Sequence, residues 1–573
     1  MRTFNKLLCT IVLCSFILAA CGGPATTAPV ATEKPPEATA VVPEKPTEAP
    51  LAPTTPPSAT TKEAVLRIGW GSEPDTMNPL TTYSTEATEI IRLVYDKLLE
   101  FGLDLKTEPS LAKEFAYSTD GLTITYKLRE NVKWHDGKPF TADDVVFTFQ
   151  FIKDNSFGAF AQWLINMTEV KATDANTVVV TFNKPQAFNP GLIIPILPKH
   201  LWSTMTAKDV ETFPNDAPVG TGPFRFVEWK KGATLTLNAN PDFWGGVPKA
   251  SKIIYVLYSN EDVMAQALKG GEIDIVTEVP PTIWEGLTNV ENVKAASMPS
   301  FSLHHIGFNV SDNANSKGNP LLKEKIIRQA LNYAVDRNQL VQIALAGHGR
   351  PGDSIIPIGL TEWYLPIPAD KQMNANPEKA KEVLENAGYK DSNNDGVRES
   401  PDGKPLEFRL IAIETTSVDV RAGQLFKDAA EAVGIKLDLQ TLDENTLGNT
   451  VYNSDAPDWD IFVWGWDSEP DPDSMLGVVL CSQIGGNSDV FYCDKTYDEM
   501  FDKQATTVDY TARKAIVDQM QLKFYDEAVY IVMWYQDKLQ AYRTDTWTGW
   551  QEVPGGILYN VTRANYLNVA PAK

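Results

Sequence analysis

Three consecutive segments near the middle of the chain set its fold class. Ile253–Tyr258 is β-branched and apolar, Asp262–Lys269 has helical spacing up to Gly270, and Glu272–Val276 reads as the next strand. This alternation implies a mixed sheet with helices on its faces. Similar segments recur on both sides. Val65–Gly69, Leu122–Leu128, Asn176–Phe182 and Thr234–Ala239 read as strands, and Thr85–Leu99 as a helix. Thr141 opens another helix as N-cap, with Asp143 and Asp144 in the first turn, where the dipole favours negative charge. Further on, Pro320–Val335 and Asp336–Leu345 are consecutive helices, and Asn376-Pro377 starts a helix that Gly388 ends. Strands Glu407–Ile413 and Lys436–Leu442 flank a helix over Val418–Val433, then Val508–Tyr525 is a long helix and Tyr530–Tyr535 a strand. At 573 residues the chain exceeds one core, so two or three domains are expected.

The N-terminus reads differently. Arg2 and Lys6 precede an apolar run from Leu7 to Leu18, too short for a spanning helix of roughly 20 residues but suited to a secretory signal. Leu18-Ala19-Ala20-Cys21 then resembles a bacterial lipobox, in which Cys21 is lipidated and residues 1–20 are removed. Residues 21–63 are rich in Pro, Thr and Ala, cannot bury a core, and read as a disordered linker. No later apolar run approaches spanning length. The expected product is exported and lipid-anchored on the extracytoplasmic side.

Net charge is −23, which argues against a nucleic-acid partner. Of five cysteines, Cys9 and Cys14 leave with the signal and Cys21 carries lipid. Cys481 and Cys493 remain as a disulfide candidate, with two free thiols or unrelated burial as the alternatives. No nucleophile elbow, zinc-protease helix motif, phosphate loop or Cys-x-x-Cys occurs. No enzyme activity, cofactor or metal is therefore expected.

Five stretches, in order, resemble one family: Glu73 to Pro79, Leu128 to Val145 (with Trp134-His135-Asp136-Gly137), Gly220-Thr221-Gly222-Pro223-Phe224, Gly270 to Asp274, and Arg328 to Arg337. They are similar to the family 5 extracellular solute-binding proteins of ABC importers for peptides and nickel. The resemblance implies an α/β, periplasmic-binding-protein-like type II fold, with two hinged lobes, an extra small domain, and mixed sheets flanked by helices. Carried onto this chain, lobe I takes 64–107, 220–310 and 541–573, the small domain 108–219, and lobe III 311–540. It also implies a monomer that closes on a peptide and delivers it to a membrane permease. The alternative cargo is an oligosaccharide of the cello-oligosaccharide kind, stacked on tryptophans such as Trp464, Trp466 and Trp534. An exported hydrolase or a surface sensor are the alternatives from other classes.

Residues Asp460 to Asp473 are the main site candidate, since a strand ends at Trp466 and an acidic loop follows. In peptide-binding members an aspartate three positions after the Gly-Trp pair meets the ligand's α-ammonium. Here that position is Glu469, with Asp467 as a competitor and Trp464 and Trp466 beside it. Phe301–Val310 alternates as a strand; the resemblance implies that this strand borders the cleft, which makes Asn309 a candidate for the ligand's backbone, with packing alone as the alternative. His304 and His305 are adjacent and point to opposite faces, so they read as structural. Asp391 to Gly396 matches half a calcium loop. Its twelfth position is Asp402 and its eighth Arg398, so it reads as a solvated turn, with a weak structural calcium site as the alternative.

Overall fold

A computed structural model describes residues 63–573 apart from 415, 559 and 560. The signal segment 1–20, Cys21 and all but the last residue of the linker 21–63 lie outside the described residues. The principal sheet has twelve strands. Its path runs Lys436–Leu442, Glu407–Ile413, Ile461–Asp467, Ser302–Phe308, Tyr530–Arg543, Ile275–Val276, Val65–Trp70, Lys252–Leu257, Thr234–Ala239, Phe224–Lys230. Val65–Trp70 pairs in parallel with Lys252–Leu257, and Glu407–Ile413 in parallel with Lys436–Leu442; most other pairs are antiparallel. The sheet is thus mixed, as the strand–helix alternation predicts.

Period-two alternation gives the Glu407–Asp467 end a core on each face. Phe408, Leu410 and Val463 enter one cluster with Phe426 of the helix Ser417–Glu431, while Ile411, Ile413 and Phe462 enter another with Phe524. A second, four-stranded antiparallel sheet is built from Ala112–Tyr117, Thr123–Leu128, Thr177–Phe182 and Met167–Asp174. The helix Ala142–Asn155 packs on it through Val145, Phe149 and Ile152. A capping box starts that helix: Asp144 Oδ2 accepts the Thr141 backbone N–H at 2.9 Å.

Several sequence expectations fail at element ends: the helix expected over Pro320–Val335 is a short turn, Pro320–Lys323, followed by the helix Lys325–Ala334, and the strand expected over Glu272–Val276 is only Ile275–Val276. The strand expected over Tyr530–Tyr535 runs on to Arg543. Gln536, Asp537 and Lys538 break the apolar pattern, yet the backbone continues because its partner changes. Ser302–Phe308 pairs with the first part and Val293–Pro299 with the second. Ser300, between those two partners, donates its backbone N–H to the Gln536 carbonyl. The helix expected to reach Leu99 stops at Val94, and Leu99–Phe101 is a strand. The cause is Asp96, buried and bound by Thr221 Oγ1 at 2.7 Å, Trp244 Nε1 at 2.8 Å and the Arg563 guanidinium. Those partners hold the chain in an extended path that local propensity does not encode.

The five resembling stretches are fasteners in this fold. Gly222 N–H donates to the Val94 carbonyl at 2.9 Å, and a Cβ on Gly220 would sit 1.8 Å from that same oxygen, so only glycine fits. His135 clamps this turn: its Nδ1 accepts from Gly220 N–H at 3.3 Å and its Nε2 faces the Gly222 carbonyl at 3.0 Å. That pattern assigns the neutral Nε2–H tautomer, in keeping with burial, which pushes the His135 pKa down to about 4. Asn78 Nδ2 bonds the Val210 and Phe213 carbonyls, Asp274 pairs with Arg67 at 2.9 Å, and Arg328 bonds the carbonyls of Leu322, Lys323 and Glu527.

Candidate functional site

A cavity of about 780 Å³ lies between two walls. One wall comes from residues 79–101 and 160–195, including Tyr95, Trp163 and Phe188; the other comes from 466–487 and 501–506, including Trp466 and Phe501. The walls meet at a backbone hydrogen bond, Ala187 N–H to the Ala505 carbonyl at 3.0 Å. Such a volume suits a small flexible ligand, with aromatic rings supplying most of the contact area.

The strand Ile461–Asp467 delivers Trp466 to this space. Trp464 and Trp466 share a strand face, and both indole N–H groups donate to Asp489 Oδ2 at 3.0 Å. Tyr530 donates its hydroxyl to Asp489 Oδ1, and His305 Nε2 stands 3.3 Å from Oδ2. Asp489 is fully buried. It rides on the 481–493 segment, whose ends Cys481 and Cys493 are joined by a disulfide with S–S 2.05 Å. This arrangement fixes Trp466 from behind.

Asp467 and Glu469 both line the cavity and are exposed. Asp467 Oδ1 accepts from the Ser302 hydroxyl. Among the described residues no side chain pairs with the Glu469 carboxylate. Its loop is nonetheless tied down: Ser474 Oγ accepts the Glu469 N–H at 3.2 Å, and Ser468 Oγ donates to the Glu469 carbonyl at 2.8 Å.

Three expected positions fall elsewhere. Asn309 does not line the cavity. It is 3% exposed, and its amide is used up on the Trp459 carbonyl at 2.8 Å and the Ser311 N–H at 3.1 Å, so it fastens the strand end. Trp464 turns into the packed layer against Tyr452 and Phe462, with ring centroids 5.3 and 4.8 Å away. Trp534 is wholly buried and stacks on His304 at 5.2 Å. Of the three tryptophans considered for sugar stacking, only Trp466 reaches the cavity. His304 and His305 take opposite faces, the first beside Asp419 and the second beside Asp489.

The acidic turn closes on itself. Asp391 accepts the N–H groups of Asp395 and Gly396 at 3.2 and 3.0 Å, and Glu399 accepts from Ser392 N–H at 2.7 Å. Asp391, Asp395 and Glu399 have carboxylate oxygens within 4.8 Å of one another. Asp402 lies outside this group and pairs with Lys404 at 2.7 Å, while Arg398 turns inward to the Val433 and Tyr389 carbonyls.

Sequence reasoning missed the charged network behind the second wall. Arg513 makes a fork to Asp471, Nη1–Oδ2 2.8 Å and Nη2–Oδ1 2.7 Å, and its Nη2 also reaches Asp473 Oδ1 at 2.9 Å. Gln504 donates to Asp473 Oδ1 at 2.5 Å and accepts from Arg513 Nε at 3.0 Å. Burial, with Asp471 alongside, raises the Asp473 carboxyl to about 6.

A family model for bacterial extracellular solute-binding proteins, family 5, matches residues 106–487. The oligopeptide-binding protein AppA of Bacillus subtilis is 28% identical over 509 residues, 87% of this chain and 91% of AppA. The structure of AppA in complex with a nonapeptide superposes with TM-score 0.71 at 26% identity, over 89% of this chain and 99% of that one. NikZ from Campylobacter jejuni, in complex with Ni(L-His), gives TM-score 0.70 at 26% identity, over 89% of this chain and all of NikZ. The fold is periplasmic-binding-protein-like, and proteins of this kind are extracytoplasmic transport binding proteins, not enzymes. The chain belongs to the family 5 bacterial extracellular solute-binding proteins.

Proposed function

We propose that this protein captures short peptides in the cavity between its two walls and passes them to the permease of an ABC importer. The observation that carries this reading is Glu469, a carboxylate without a side-chain partner among the described residues, held beside Trp466 on a tied loop. In this reading it takes a ligand's α-ammonium, with Asp467 next to it, while Trp466 supplies an apolar face. AppA, named for oligopeptide binding, supports the cargo class. The sugar alternative loses support because Trp464 and Trp534 do not line the cavity.

In this reading the protein acts as a monomer tethered by lipid on Cys21 through the 21–63 linker. The segments 64–107, 220–310 and 541–573 move against 311–540, and 108–219 follows the first group. The hinge is assigned to Ser300 and to residues 535–538, where the strand Tyr530–Arg543 changes partner. Binding involves no bond making; the permease responds to the closed form because ligand stabilises it differentially.

Titration calorimetry with free and N-acetylated copies of one tripeptide tests the anchor. Acetylation, or Glu469→Gln with the free peptide, is expected to weaken binding about 30-fold, about 2 kcal/mol. Equal affinity for both peptides would contradict the α-ammonium anchor.

A further inference from the structure

Charge is unevenly shared across the cavity. On the first wall Arg92 pairs with Glu89 at 2.9 Å and Lys97 with Glu100 at 2.6 Å, so both cations are neutralised. Lys184 has no ion pair among the described residues. On the second wall Glu469 and Asp502 have no cation partner among the described residues, and Asp467 has only the Ser302 hydroxyl. Behind them Asp471 and Asp473 share the single guanidinium of Arg513.

Asp473 is the most specific member of this wall. Its side chain is 14% exposed and lines the cavity. Both protein donors, Gln504 Nε2 and Arg513 Nη2, go to Oδ1. Among the described residues no donor bonds Oδ2. A carboxylate that is largely desolvated and shares its counter-charge, with Oδ2 open and free of protein donors among the described residues, gains from a charged donor arriving through the cavity. A structural role in holding Arg513 accounts for Oδ1 and leaves Oδ2 unused.

We propose that Asp473 is a second cation subsite of the cleft, one that receives the lysine ammonium or arginine guanidinium of a bound peptide, so that the protein selects basic peptides. This rests on the peptide reading above. The α-ammonium goes to Glu469, the basic side chain to Asp473 with Asp502 on the same wall, and Lys184 across the cavity suits the peptide's carboxylate.

The test is a calorimetric series of alanine tripeptides with lysine, norleucine or glutamate at each position in turn. The wild-type protein should bind the best lysine peptide about tenfold or more tighter than its norleucine counterpart, with glutamate weakest. In Asp473→Asn the lysine-to-norleucine ratio should fall to about one while norleucine affinity holds within about twofold. A second readout needs no variant. Asp471, Arg513 and Gln504 act directly on Asp473, Tyr117 stands near Asp471 and Arg513, Asp502 and Glu469 line the same wall, and Lys184 lines the other. Burial beside Asp471 pushes the Asp473 carboxyl up from the usual carboxylate range and the peptide lysine stays charged, so the ratio should be full at pH 8 and fall as the pH is lowered to 5. A wild-type ratio near one overturns the subsite while leaving peptide capture standing. So does a ratio that survives Asp473→Asn or pH 5. Absence of binding by every peptide overturns the peptide reading and this assignment together.

Discussion

Arg513→Ala is expected to lower the unfolding free energy by about 3–5 kcal/mol and to abolish ligand capture. The side chain is 5% exposed and is the cation shared by Asp471 and Asp473. Removing it leaves two carboxylates in a poorly solvated wall with no counter-charge. One protonates or the wall opens, and either response distorts the cavity. Arg513→Lys should recover only part of the loss, because an ammonium cannot reproduce the two-pronged fork to Asp471 at 2.8 and 2.7 Å. Urea denaturation followed by fluorescence reads this directly. A loss below about 1 kcal/mol would mean that water, not Arg513, neutralises the pair.

Asp489→Ala carries the second large effect, about 3–4 kcal/mol. The substitution strands three donors, the buried Tyr530 hydroxyl and the half-buried Trp464 and Trp466 indoles, and opens space beneath the strand Ile461–Asp467. Trp466 then loses the bond that orients it toward the cavity. Peptide affinity should fall even under conditions where the variant remains folded. Asp489→Asn should be milder, since its amide oxygen still accepts from an indole. Near-ultraviolet circular dichroism should report the loss of tryptophan order in the alanine variant. An unchanged spectrum with unchanged affinity would remove Asp489 from the site's supporting frame.

Local signals in the sequence mark where elements begin. Asp336 and Asn376 each cap a helix by accepting backbone N–H groups, and Thr141 starts one by donating its N–H to Asp144; those starts are legible because capping is a property of a few neighbouring residues. Where elements end depends on distant partners. Asp96 stops its helix through Arg563, 467 residues away, and the Tyr530–Arg543 strand is extended by pairing with Val293–Pro299. The candidate site divides in the same way. Trp466, Asp467 and Glu469 are adjacent and follow a strand, so one stretch of sequence exposes them together. Trp464 and Trp534 have equal aromatic character, and only depth in the packed layer keeps them from the cavity. Asn309 sits at the expected strand end, yet its amide is spent on its own loop. The role of Asp473 emerges only once Arg513, 40 residues on, folds back against it.

The most direct test of peptide capture is a thermal-shift screen of the protein against di- to hexapeptides, cello-oligosaccharides and nickel. A peptide at about 1,000 times its dissociation constant adds about 4 kcal/mol of stability, a readily visible rise in Tm. Stabilisation by peptides, cut to about 2 kcal/mol by Glu469→Gln at the same peptide concentration, is the predicted result. Stabilisation by oligosaccharides or nickel with no response to any peptide would contradict the account and return the Trp466–Glu469 segment to a different cargo.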